Sequence, residues 1–522
     1  MSYINLNLSG GVRTPPSERE LDIQAGFLSA ALLLALMLIG RFTFHLPLLP
    51  DIMADWVFAI TPGSIVEAVV TMFGAFAKHL GFIACAIFYL AIITFAGTAF
   101  LKQMRGRETG WIAGISYGAV IWSITIAVIP LFGGGLFGRD LWNGAFISSA
   151  SLLVYHLIYG TALVRLRSAF SAKSDFAERG ERFLNRRNAL RGVMAVVIAA
   201  AAYDILRPVI ESIRTAYGGK VRSGSGVFPD ITGLSMEITP TRDFYKVSKN
   251  SFDPDVDVKR WRLEIGGMVE HPLSLSFEEL KSLPAVEEYA TLMCISNEVG
   301  GNLIGNAKWK GVRLRDLLEK AQLKPGVVDI SLRAVDDYTD SIPLDRAMAD
   351  GTILVYEMNS APLTAEHGFP VRLLVPGIYG MKNVKWITRL TAVSYDFKGY
   401  WQVRGWNDQA IYRTMSRIDI PDGKAKLGNI TIAGVSFAGD RGISKVEVST
   451  DSGKNWEAAE LKPGLSQFTW VLWEKQWSPP SAGSYNIVVR ATDGSGAMQE
   501  LRNAPPFPDG SAGYHRVGIN VI

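Results

Sequence analysis

The sequence predicts a multi-domain protein made of an all-α membrane helix bundle, an α+β domain and an immunoglobulin-like β-sandwich, in that order. Three observations indicate this fold class. The 522-residue chain has a positive mean hydropathy of +0.17 and only 20% charged residues, which is typical of a protein partly embedded in lipid. Its bilayer-length apolar runs fall within residues 25–206. After residue 422 the pattern consists of strands and turns alone.

The first part contains five apolar segments that predict membrane-spanning helices, since about 20 apolar residues suffice to cross the hydrocarbon core. They are 25–44, 79–100, 111–131, 144–164 and 192–206. A weaker stretch, 57–77, is broken by a Thr-Pro-Gly sequence and carries Glu67, so we interpret it as an interfacial or re-entrant helix. The predicted domains are a cytoplasmic tail (1–24), a membrane domain (25–207), a linker (208–236), the α+β domain (237–410) and the β-sandwich (411–522).

The basic residues of the loops predict the orientation of the membrane domain. Lysines and arginines are concentrated in 102–107 and in 165–191, and such residues gather on the cytoplasmic side of a membrane. We therefore expect a multi-pass protein of the cell inner (cytoplasmic) membrane, with everything after residue 206 on the extracytoplasmic (periplasmic) side. Arg186 and Arg187, just before the last span, resemble a twin-arginine export signal; ordinary orienting arginines are the alternative.

Short strands and helices alternate between residues 237 and 409, which is typical of an α+β domain. Strands are predicted over 261–265, 289–295, 330–334, 353–356 and 371–375, and helices over 280–283 and 314–323. The first of these helices follows a capping box from Ser276 to Glu279. Further strands, predicted over 430–436, 445–449, 456–461, 468–472 and 485–491, have the turn spacing of a β-sandwich.

Charge and cysteine content exclude two classes of protein. A net charge of +4 gives no reason to expect a nucleic-acid partner, and two cysteines, Cys85 and Cys294, cannot form a disulfide-stapled scaffold. Cys294 stands at the end of an apolar strand, where a buried inert thiol is the ordinary interpretation. The alternative is a thiolate nucleophile or metal ligand, because one thiolate can anchor a soft metal whose other ligands come from a cofactor.

Four basic residues lie close together in the sequence, on either side of a glycine-containing turn. They are His367, Arg372, Lys382 and Lys385. Arginine forks and approachable glycine N–H groups suit a phosphate, so one interpretation is a phosphate cradle; an ordinary surface cluster is the other.

The membrane part contains three histidines that are candidates for binding haem b. They are His45, His79 and His156. Two histidines on neighbouring spans can hold a haem, while interfacial or helix-polar histidines are the more ordinary interpretation.

Five motifs follow one another in the second half of the chain. They are 291–301 around Cys294, 306–318, 356–359, 367–372 and 385–386. In order and spacing they resemble the sulfite oxidase family of molybdopterin-dependent oxidoreductases, in its membrane-fused bacterial type. The β-sandwich resembles that family's carboxy-terminal dimerisation domain, so the resemblance covers about residues 238–522.

The resemblance implies a molybdenum–molybdopterin cofactor and a role for each matching residue. Cys294 would be the thiolate ligand of molybdenum. The implied cofactor-binding residues are Phe244, Tyr245, Lys246, Asp336 (with Asp337 as the fallback), His367, Arg372, Asn383, Val384 and Lys385. Cys294, Lys246 and Trp406 are the implied catalytic residues, because Lys246 takes the place of an upstream arginine and Trp406 that of an active-site tyrosine.

A departure from the family pattern bears on the substrate. Members that oxidise sulfite carry two arginines after the cysteine, where this chain has Glu298 and Val299. A carboxylate there repels a dianion by about 1 kcal/mol or more at close range. Reduction of a neutral S-oxide or N-oxide therefore fits the sequence at least as well as sulfite oxidation.

The predicted function is that of a membrane-anchored oxidoreductase which carries out two-electron oxygen-atom transfer on a small extracytoplasmic substrate. A sulfite dehydrogenase that passes electrons to a membrane or haem partner is the alternative enzyme. A non-enzymatic membrane receptor is the rival class. The expected partners are membrane lipid, a quinone or cytochrome, and a second copy of the chain in a homodimer.

Overall fold

The computed structural model describes residues 17–44, 46–62, 77–107, 110–138, 144–177, 231–250 and 253–522, with residues 65 and 69 standing alone between two of these ranges. The chain divides into two compact units, one made of residues 1–60 and 78–211 and the other of residues 61–77 and 212–522. The predicted fifth span (192–206), the arginine pair at 186–187 and most of the predicted tail and linker lie outside the described residues.

The first unit is helical. Its helices are α1 (Glu18–Phe44), α2 (Leu49–Ile60), α3 (Ala77–Gln103), α4 (Trp111–Val128) and α5 (Gly144–Ala177). Four segments are long and apolar enough to cross a membrane: Glu18–Phe44, Leu80–Gln103, Trp111–Phe132 and Gly144–Ser171. They correspond to the first four predicted spans. Of the stretch 57–77, the structure describes the end of α2 at Ile60 and the bend that follows it.

Close helix packing and one ion-pair cluster join the helices of this unit. A Cβ added at Gly114 or Gly118 of α4 would lie within 2.5 Å of a backbone oxygen of α5, so small residues allow these two backbones to touch. Asp22 of α1 is almost fully buried and accepts hydrogen bonds from Arg105 and Arg167. This cluster ties α1 to α5 and to the residues after α3.

His156 lies inside the helical unit with both ring nitrogens engaged. Its Nδ1 is 2.7 Å from the carbonyl oxygen of Leu152, and its Nε2 is 3.3 Å from the hydroxyl of Thr125. This arrangement is that of a satisfied core histidine. His45 and the side chain of His79 lie outside the described residues, so a haem in this unit stays a prediction.

The α+β part of the second unit contains one mixed sheet, one antiparallel sheet and three short α-helices. Its strands are β1 (Arg262–Gly267), β2 (Leu273–Ser276), β3 (Val286–Met293), β4 (Ile304–Arg313), β5 (Asp329–Ala334), β6 (Thr339–Pro343), β7 (Ile353–Met358), β8 (Ala361–Pro362), β9 (Arg372–Leu374) and β10 (Ile387–Val393). Its helices are α6 (Phe277–Lys281), α7 (Leu314–Ala321) and α8 (Leu344–Ala347). Sheet A has the order β2-β1-β10-β5-β6, and sheet B the order β3-β4-β7-β8, with β9 also paired to β7.

The main core of this part lies between the two sheets. Leucines and isoleucines of sheet A meet Val312, Leu354 and Leu373 of sheet B, and the apolar face of α7 completes the cluster. A second cluster covers the other face of sheet B around Trp309 and Phe244. Sheet B is therefore buried on both faces, which holds the ends of β3 and β9 firmly in place.

The last part of the chain is all β. Its strands are β11 (Met415–Ile420), β12 (Lys424–Ala425), β13 (Ile430–Phe437), β14 (Ile443–Ser449), β15 (Glu457–Ala458), β16 (Glu460–Leu461), β17 (Val471–Trp477), β18 (Gly483–Asp493) and β19 (His515–Val521). They form a sheet of order β11-β13-β17-β16 and another of order β12-β19-β18-β14-β15. One core contains side chains of both sheets, so they pack face to face. The immunoglobulin-like assignment stays a prediction.

Most predicted elements agree with the structure, and several need correction. The capping box is confirmed, with reciprocal hydrogen bonds between Ser276 and Glu279. The strand predicted over 468–472 begins instead at Val471. The strand predicted over 456–461 is split into β15 and β16, which belong to different sheets. Eight strands were not predicted: β2, β4, β6, β8, β10, β11, β12 and β19.

The α+β part and the β-sandwich share a further core. Met293 and Ile295 pack in one buried cluster with Val435, Phe437 and Leu472 of the sandwich. Both parts lie in the same compact unit. The predicted boundary at residues 410–411 stays a prediction.

Candidate functional site

Cys294 follows directly after β3, at a turn that leads back into β4. Its N–H donates to the carbonyl oxygen of Leu303 at 2.9 Å, and its carbonyl oxygen accepts from the N–H of Asn297 at 3.0 Å. The residue is 7% exposed, and no disulfide joins it to Cys85. The thiol is thus fixed at the end of a strand that is buried on both sides.

Three tyrosines surround Cys294. The hydroxyl of Tyr412 accepts a hydrogen bond from the N–H of Met293, at 3.2 Å. Burial raises the pKa of Tyr245 well above its ordinary value, and the neighbouring Cys294 adds to this shift. Burial also raises the pKa of Tyr379 to about 12 and that of Tyr412 further still, with Cys294 again contributing. The hydroxyls therefore keep their protons and remain hydrogen-bond donors.

His367 ends a short 3₁₀ turn and is almost fully buried. Its Nε2 lies 2.9 Å from the carbonyl oxygen of Thr241, and the ring of Phe244 packs edge-on against it at 5.7 Å. Because the carbonyl can only accept, Nε2 carries the proton. Burial, together with the positive charges of Arg372 and Lys385, lowers the pKa of His367 to about 3. The imidazole is therefore neutral at pH 7.

Arg372, on β9, is a buried cation. Its Nη atoms donate to the carbonyl oxygens of His367 (3.3 Å) and Asn383 (3.2 Å), and its guanidinium packs over Trp309 at 5.2 Å. Its Nε has no hydrogen-bond partner, and among the described residues no carboxylate pairs with it. Burial lowers its pKa to about 10, so it stays charged at pH 7.

A buried guanidinium with an unused N–H and no carboxylate is costly unless a ligand supplies the negative charge. A phosphate or another anionic group of a cofactor meets this requirement, because arginine binds such groups through paired hydrogen bonds. The donor set next to Cys294 therefore fits an anionic cofactor such as molybdopterin.

Residues 383–385 follow the glycine-containing turn after Arg372, and the side chains of the first two are buried inside the protein. The side chain of Asn383 accepts from the N–H of Val375 at 2.6 Å and donates to two backbone carbonyls. Val384 packs in the core between sheets A and B. The Nζ of Lys385 donates to the carbonyl oxygen of Glu366 at 2.9 Å. Of the three, Lys385 alone has its side chain close to His367, so Asn383 and Val384 have only their backbone to offer a cofactor.

Lys246 forms an ion pair with Glu366 at 2.5 Å, next to His367. Its charge is therefore already neutralised by a protein carboxylate. The aromatic rings of Phe244 and Tyr245, just before it, stack at 5.3 Å and line the same neighbourhood. The structure thus brings Phe244, Tyr245 and Lys246 close to His367.

The hydrogen-bond partners of Asp336 are not residues of the cluster around Cys294. Its carboxylate accepts from the amide of Asn250 at 2.7 Å and from the N–H of Tyr338 at 3.2 Å. Asp337, the fallback, is exposed and pairs with Arg333 at 2.6 Å. Burial thus favours Asp336 of the two, but the described contacts do not link it to the cluster around Cys294.

Trp406 belongs to the same buried cluster as the residues that flank Cys294. It is 6% exposed, and its ring meets that of Phe507 edge-on at 5.2 Å. Its indole Nε1 is buried, and no group within the described part of the chain accepts a hydrogen bond from it. An unsatisfied neutral donor in this position is available to a ligand oxygen.

A narrow cleft opens beside the Cys294 loop. It is lined by Met293, by residues 297–300 of that loop, and by 413–416 and 511–513 of the β-sandwich. Glu298 and Val299 are therefore part of its wall. Arg413, on the opposite side, pairs with Glu500 at 3.0 Å.

Sequence reasoning missed Tyr379, Tyr412 and Arg413 at this site. Tyr379 stands in the glycine-containing turn after Arg372, which was a usable signal. Tyr412 and Arg413 precede β11, far along the chain from Cys294, and no local pattern marks them.

Comparison with known proteins identifies the family. The model of an oxidoreductase molybdopterin binding domain matches residues 250–401, and that of a Mo-co oxidoreductase dimerisation domain matches residues 407–520. The uncharacterized oxidoreductase YuiH of Bacillus subtilis is 35% identical over 151 residues, which cover 29% of this chain and 74% of that protein. The chain belongs to the sulfite oxidase family of molybdopterin oxidoreductases. The resemblance found in the sequence is confirmed, and the helical unit lies outside both matched ranges.

Other relatives match this chain over only part of their own length. Mitochondrial sulfite oxidase of Macaca fascicularis is 33% identical over 321 residues, covering 51% of this chain and 58% of that protein. The Mus musculus enzyme is 32% identical over 340 residues, covering 55% and 62%. This family member thus spans about 60% of the length of these sulfite oxidases. The sulfane dehydrogenase SoxCD of Paracoccus pantotrophus, at 23% identity and a TM-score of 0.50, covers 58% of this chain and 90% of its own and shares the fold.

Proposed function

We propose that this chain is a membrane-anchored, molybdenum-dependent oxidoreductase that reduces a small extracytoplasmic S-oxide or N-oxide by two-electron oxygen-atom transfer. The observation that carries the cofactor assignment is the buried Arg372 beside His367, with which no carboxylate pairs among the described residues. The family membership of the chain supports the same assignment.

The bound cofactor supplies the redox chemistry, and this chain's residues position it. Cys294 is the proposed thiolate ligand of molybdenum. Arg372 and Lys385 provide positive charge for the anionic part of the cofactor, and the neutral His367 offers its Nδ1 as an acceptor. The remaining cofactor-binding residues that we propose are Phe244, Tyr245, Lys246 and Asp336, with Asn383 and Val384 acting through their backbone.

The neutral hydrogen-bond donors in the cluster around Cys294 favour an uncharged substrate oxygen. In the reduction of an S-oxide, two electrons and two protons are taken up, the sulfur–oxygen bond breaks, and a sulfide and water leave. The Nε1–H of Trp406 and the hydroxyls of the tyrosine cluster are neutral donors suited to such an oxygen. Lys246, proposed as a catalytic residue, acts as part of its ion pair with Glu366 rather than as an isolated cation.

The second candidate is a sulfite dehydrogenase that passes electrons to a membrane or haem partner. It is favoured by the relatives named sulfite oxidase. Glu298 and Val299, which replace the arginine pair of sulfite-oxidising members, count against it.

The four apolar helices support a membrane anchor, and the basic loops support an extracytoplasmic catalytic domain. Electrons would then pass between the cofactor and a quinone or cytochrome at the membrane, with haem b in the helical unit as a further candidate carrier. The dimerisation-domain match supports a homodimer. An inner-membrane location and a twin-arginine route remain parts of the proposal.

The cofactor proposal is tested by metal and pterin analysis of the purified full chain. We expect about one molybdenum per chain. Cys294→Ser should abolish turnover, and Arg372→Met should lower the pterin content as well. Cys85→Ser, which changes the other buried cysteine in the helical unit, is the matched control. Protein from a competent host that contains neither molybdenum nor pterin would refute the enzyme assignment.

The direction of reaction is tested with the same protein. A panel of sulfoxides and N-oxides is assayed with a reduced viologen dye as donor, and sulfite with ferricyanide as acceptor. We expect kcat/KM for the best oxide to exceed that for sulfite by about tenfold or more, given the missing guanidinium pair. Efficient sulfite oxidation without oxide reduction would favour the second candidate.

A further inference from the structure

Two cations around the candidate site, Lys246 and Arg413, are already paired with protein carboxylates. Lys246 pairs with Glu366 at 2.5 Å. Arg413, on the wall of the cleft, pairs with Glu500 at 3.0 Å and with Asp509 at 3.6 Å. Neither cation is left to attract a negatively charged substrate.

Glu298 differs from these two cations in that its charge is not balanced by an ion pair among the described residues. It lines the same cleft and is exposed, and within the part of the chain that the structure describes no cation pairs with its carboxylate. The loop that carries Cys294 therefore brings the carboxylate of Glu298 to the cleft.

The loop that carries Glu298 is held in one conformation. The carbonyl oxygen of Glu298 accepts from the N–H of Gly301 at 2.8 Å, and the side-chain oxygen of Asn297 accepts from the N–H of Leu303 at 2.8 Å. The hydroxyl of Ser511 donates to the carbonyl oxygen of Asn297 at 2.6 Å. These bonds hold the backbone of residues 297–301 beside the cleft.

We propose that Glu298 is a specificity-determining residue which selects substrates bearing a cationic group near the oxide, such as a sulfoxide with an ammonium substituent. This inference rests on the proposed oxide reduction and names its substrate class. Opposite charges attract and like charges repel across the cleft, so a cationic oxide is favoured, a neutral one is accepted and an anionic one is disfavoured. Val299, the other residue at the missing arginine pair, contributes no charge.

The test uses three methyl propyl sulfoxides that differ only at the end of the propyl chain, which carries an ammonium, a hydroxyl or a carboxylate group. Their reduction by the full-length holoenzyme is followed with a reduced viologen dye. We expect kcat/KM to be highest for the ammonium compound and lowest for the carboxylate, spanning about tenfold at low ionic strength. Raising the salt concentration to about 0.5 M should shrink the span, because surface charges are screened.

Variants assign the effect to one residue. Glu298→Gln should bring the three kcat/KM values together. Glu278→Gln, which removes an exposed carboxylate from α6, is the matched control and should keep the full span.

The outcomes distinguish a failure of the role proposed for Glu298 from a failure of the proposed oxide reduction. Equal kcat/KM for all three sulfoxides, or a preference for the anionic one, would overturn the role of Glu298 while oxide reduction itself stands. A span that survives in Glu298→Gln would overturn it too. If no sulfoxide is reduced and sulfite is oxidised, the proposed function fails instead.

Discussion

The neutral, buried His367 predicts a specific pH dependence of stability. Burial lowers the pKa of its imidazole to about 3, whereas an imidazole in the unfolded chain titrates near 6.5. Between these values the unfolded state binds a proton that the folded state does not. The free energy of unfolding therefore falls as the pH drops from about 6.5 towards 3.

The size of this effect follows from the two pKa values. Integrating the linkage relation gives a loss of about 2 kcal/mol between pH 7 and pH 5 from His367 alone. His367→Gln should remove that loss, because an amide does not titrate and can still donate to the carbonyl oxygen of Thr241. The variant should therefore lose about 2 kcal/mol less than the unaltered protein over this range.

The measurement is denaturant unfolding of the detergent-solubilised, cofactor-free full chain at several pH values, followed by the fluorescence of its tryptophans. His271→Gln, which removes an exposed imidazole, controls for the loss of a histidine as such. The reasoning is refuted if unaltered protein and His367→Gln lose stability in parallel between pH 7 and pH 5. A change of equal size in the His271 variant would show that the effect does not come from the buried site.

Three further substitutions test the packing of the chain by thermal or denaturant unfolding. Asn383→Ala should destabilise the second unit by about 3 kcal/mol, because it leaves several buried backbone groups unpaired; a loss under about 1 kcal/mol would contradict the hydrogen bonds assigned to it. Tyr412→Phe should cost about 1–2 kcal/mol, since the N–H of Met293 loses its acceptor, and an unchanged midpoint would speak against that bond. Asp22→Asn should lower the thermal stability of the helical unit in detergent by about 2 kcal/mol, more than Glu18→Gln, whose carboxylate is largely exposed.

Local patterns predicted elements well where a local interaction determines the structure. The capping box of α6 and the amphipathic α7 are examples, since each depends on residues three or four apart. The strand predicted over 468–472 failed because a long-range contact intervenes. The carbonyl oxygen of Phe468 accepts from the N–H of Thr291, and the Thr291 hydroxyl accepts from the N–H of Trp470. Phe468 and Trp470 are therefore hydrogen-bonded to Thr291 of β3, and β17 begins only at Val471.

The strand predicted over 456–461 failed for a related reason. Glu457 and Ala458 pair with β14 in one sheet, while Glu460 and Leu461 pair with β17 in the other. Ala459, between them, donates its N–H to the carbonyl oxygen of Val446. The segment crosses between the two sheets, and the alternation of its side chains in sequence contains no sign of that crossing.

The candidate site was predictable to the extent that its residues lie in motifs. Cys294, His367 and Arg372 each stand in a segment that resembles the family, and the structure brings Arg372 next to His367. The orientation of Asn383 and Val384 was not predictable, because a polar side chain in a motif can bind either a ligand or its own backbone. Here the second holds for Asn383.

The β-sandwich is part of the site rather than an appended module. Arg417 of β11 donates to the carbonyl oxygen of Gly301 at 2.8 Å, and Ser511 donates to that of Asn297 at 2.6 Å. Gly300 has φ of +78°, and a Cβ there would lie 2.3 Å from the ring of His515 on β19. The loop after Cys294 is thus held both by its own hydrogen bonds and by groups that come from the sandwich. The position of Glu298 at the cleft therefore depends in part on the sandwich, because both parts lie in one compact unit and both contribute to the lining of the cleft.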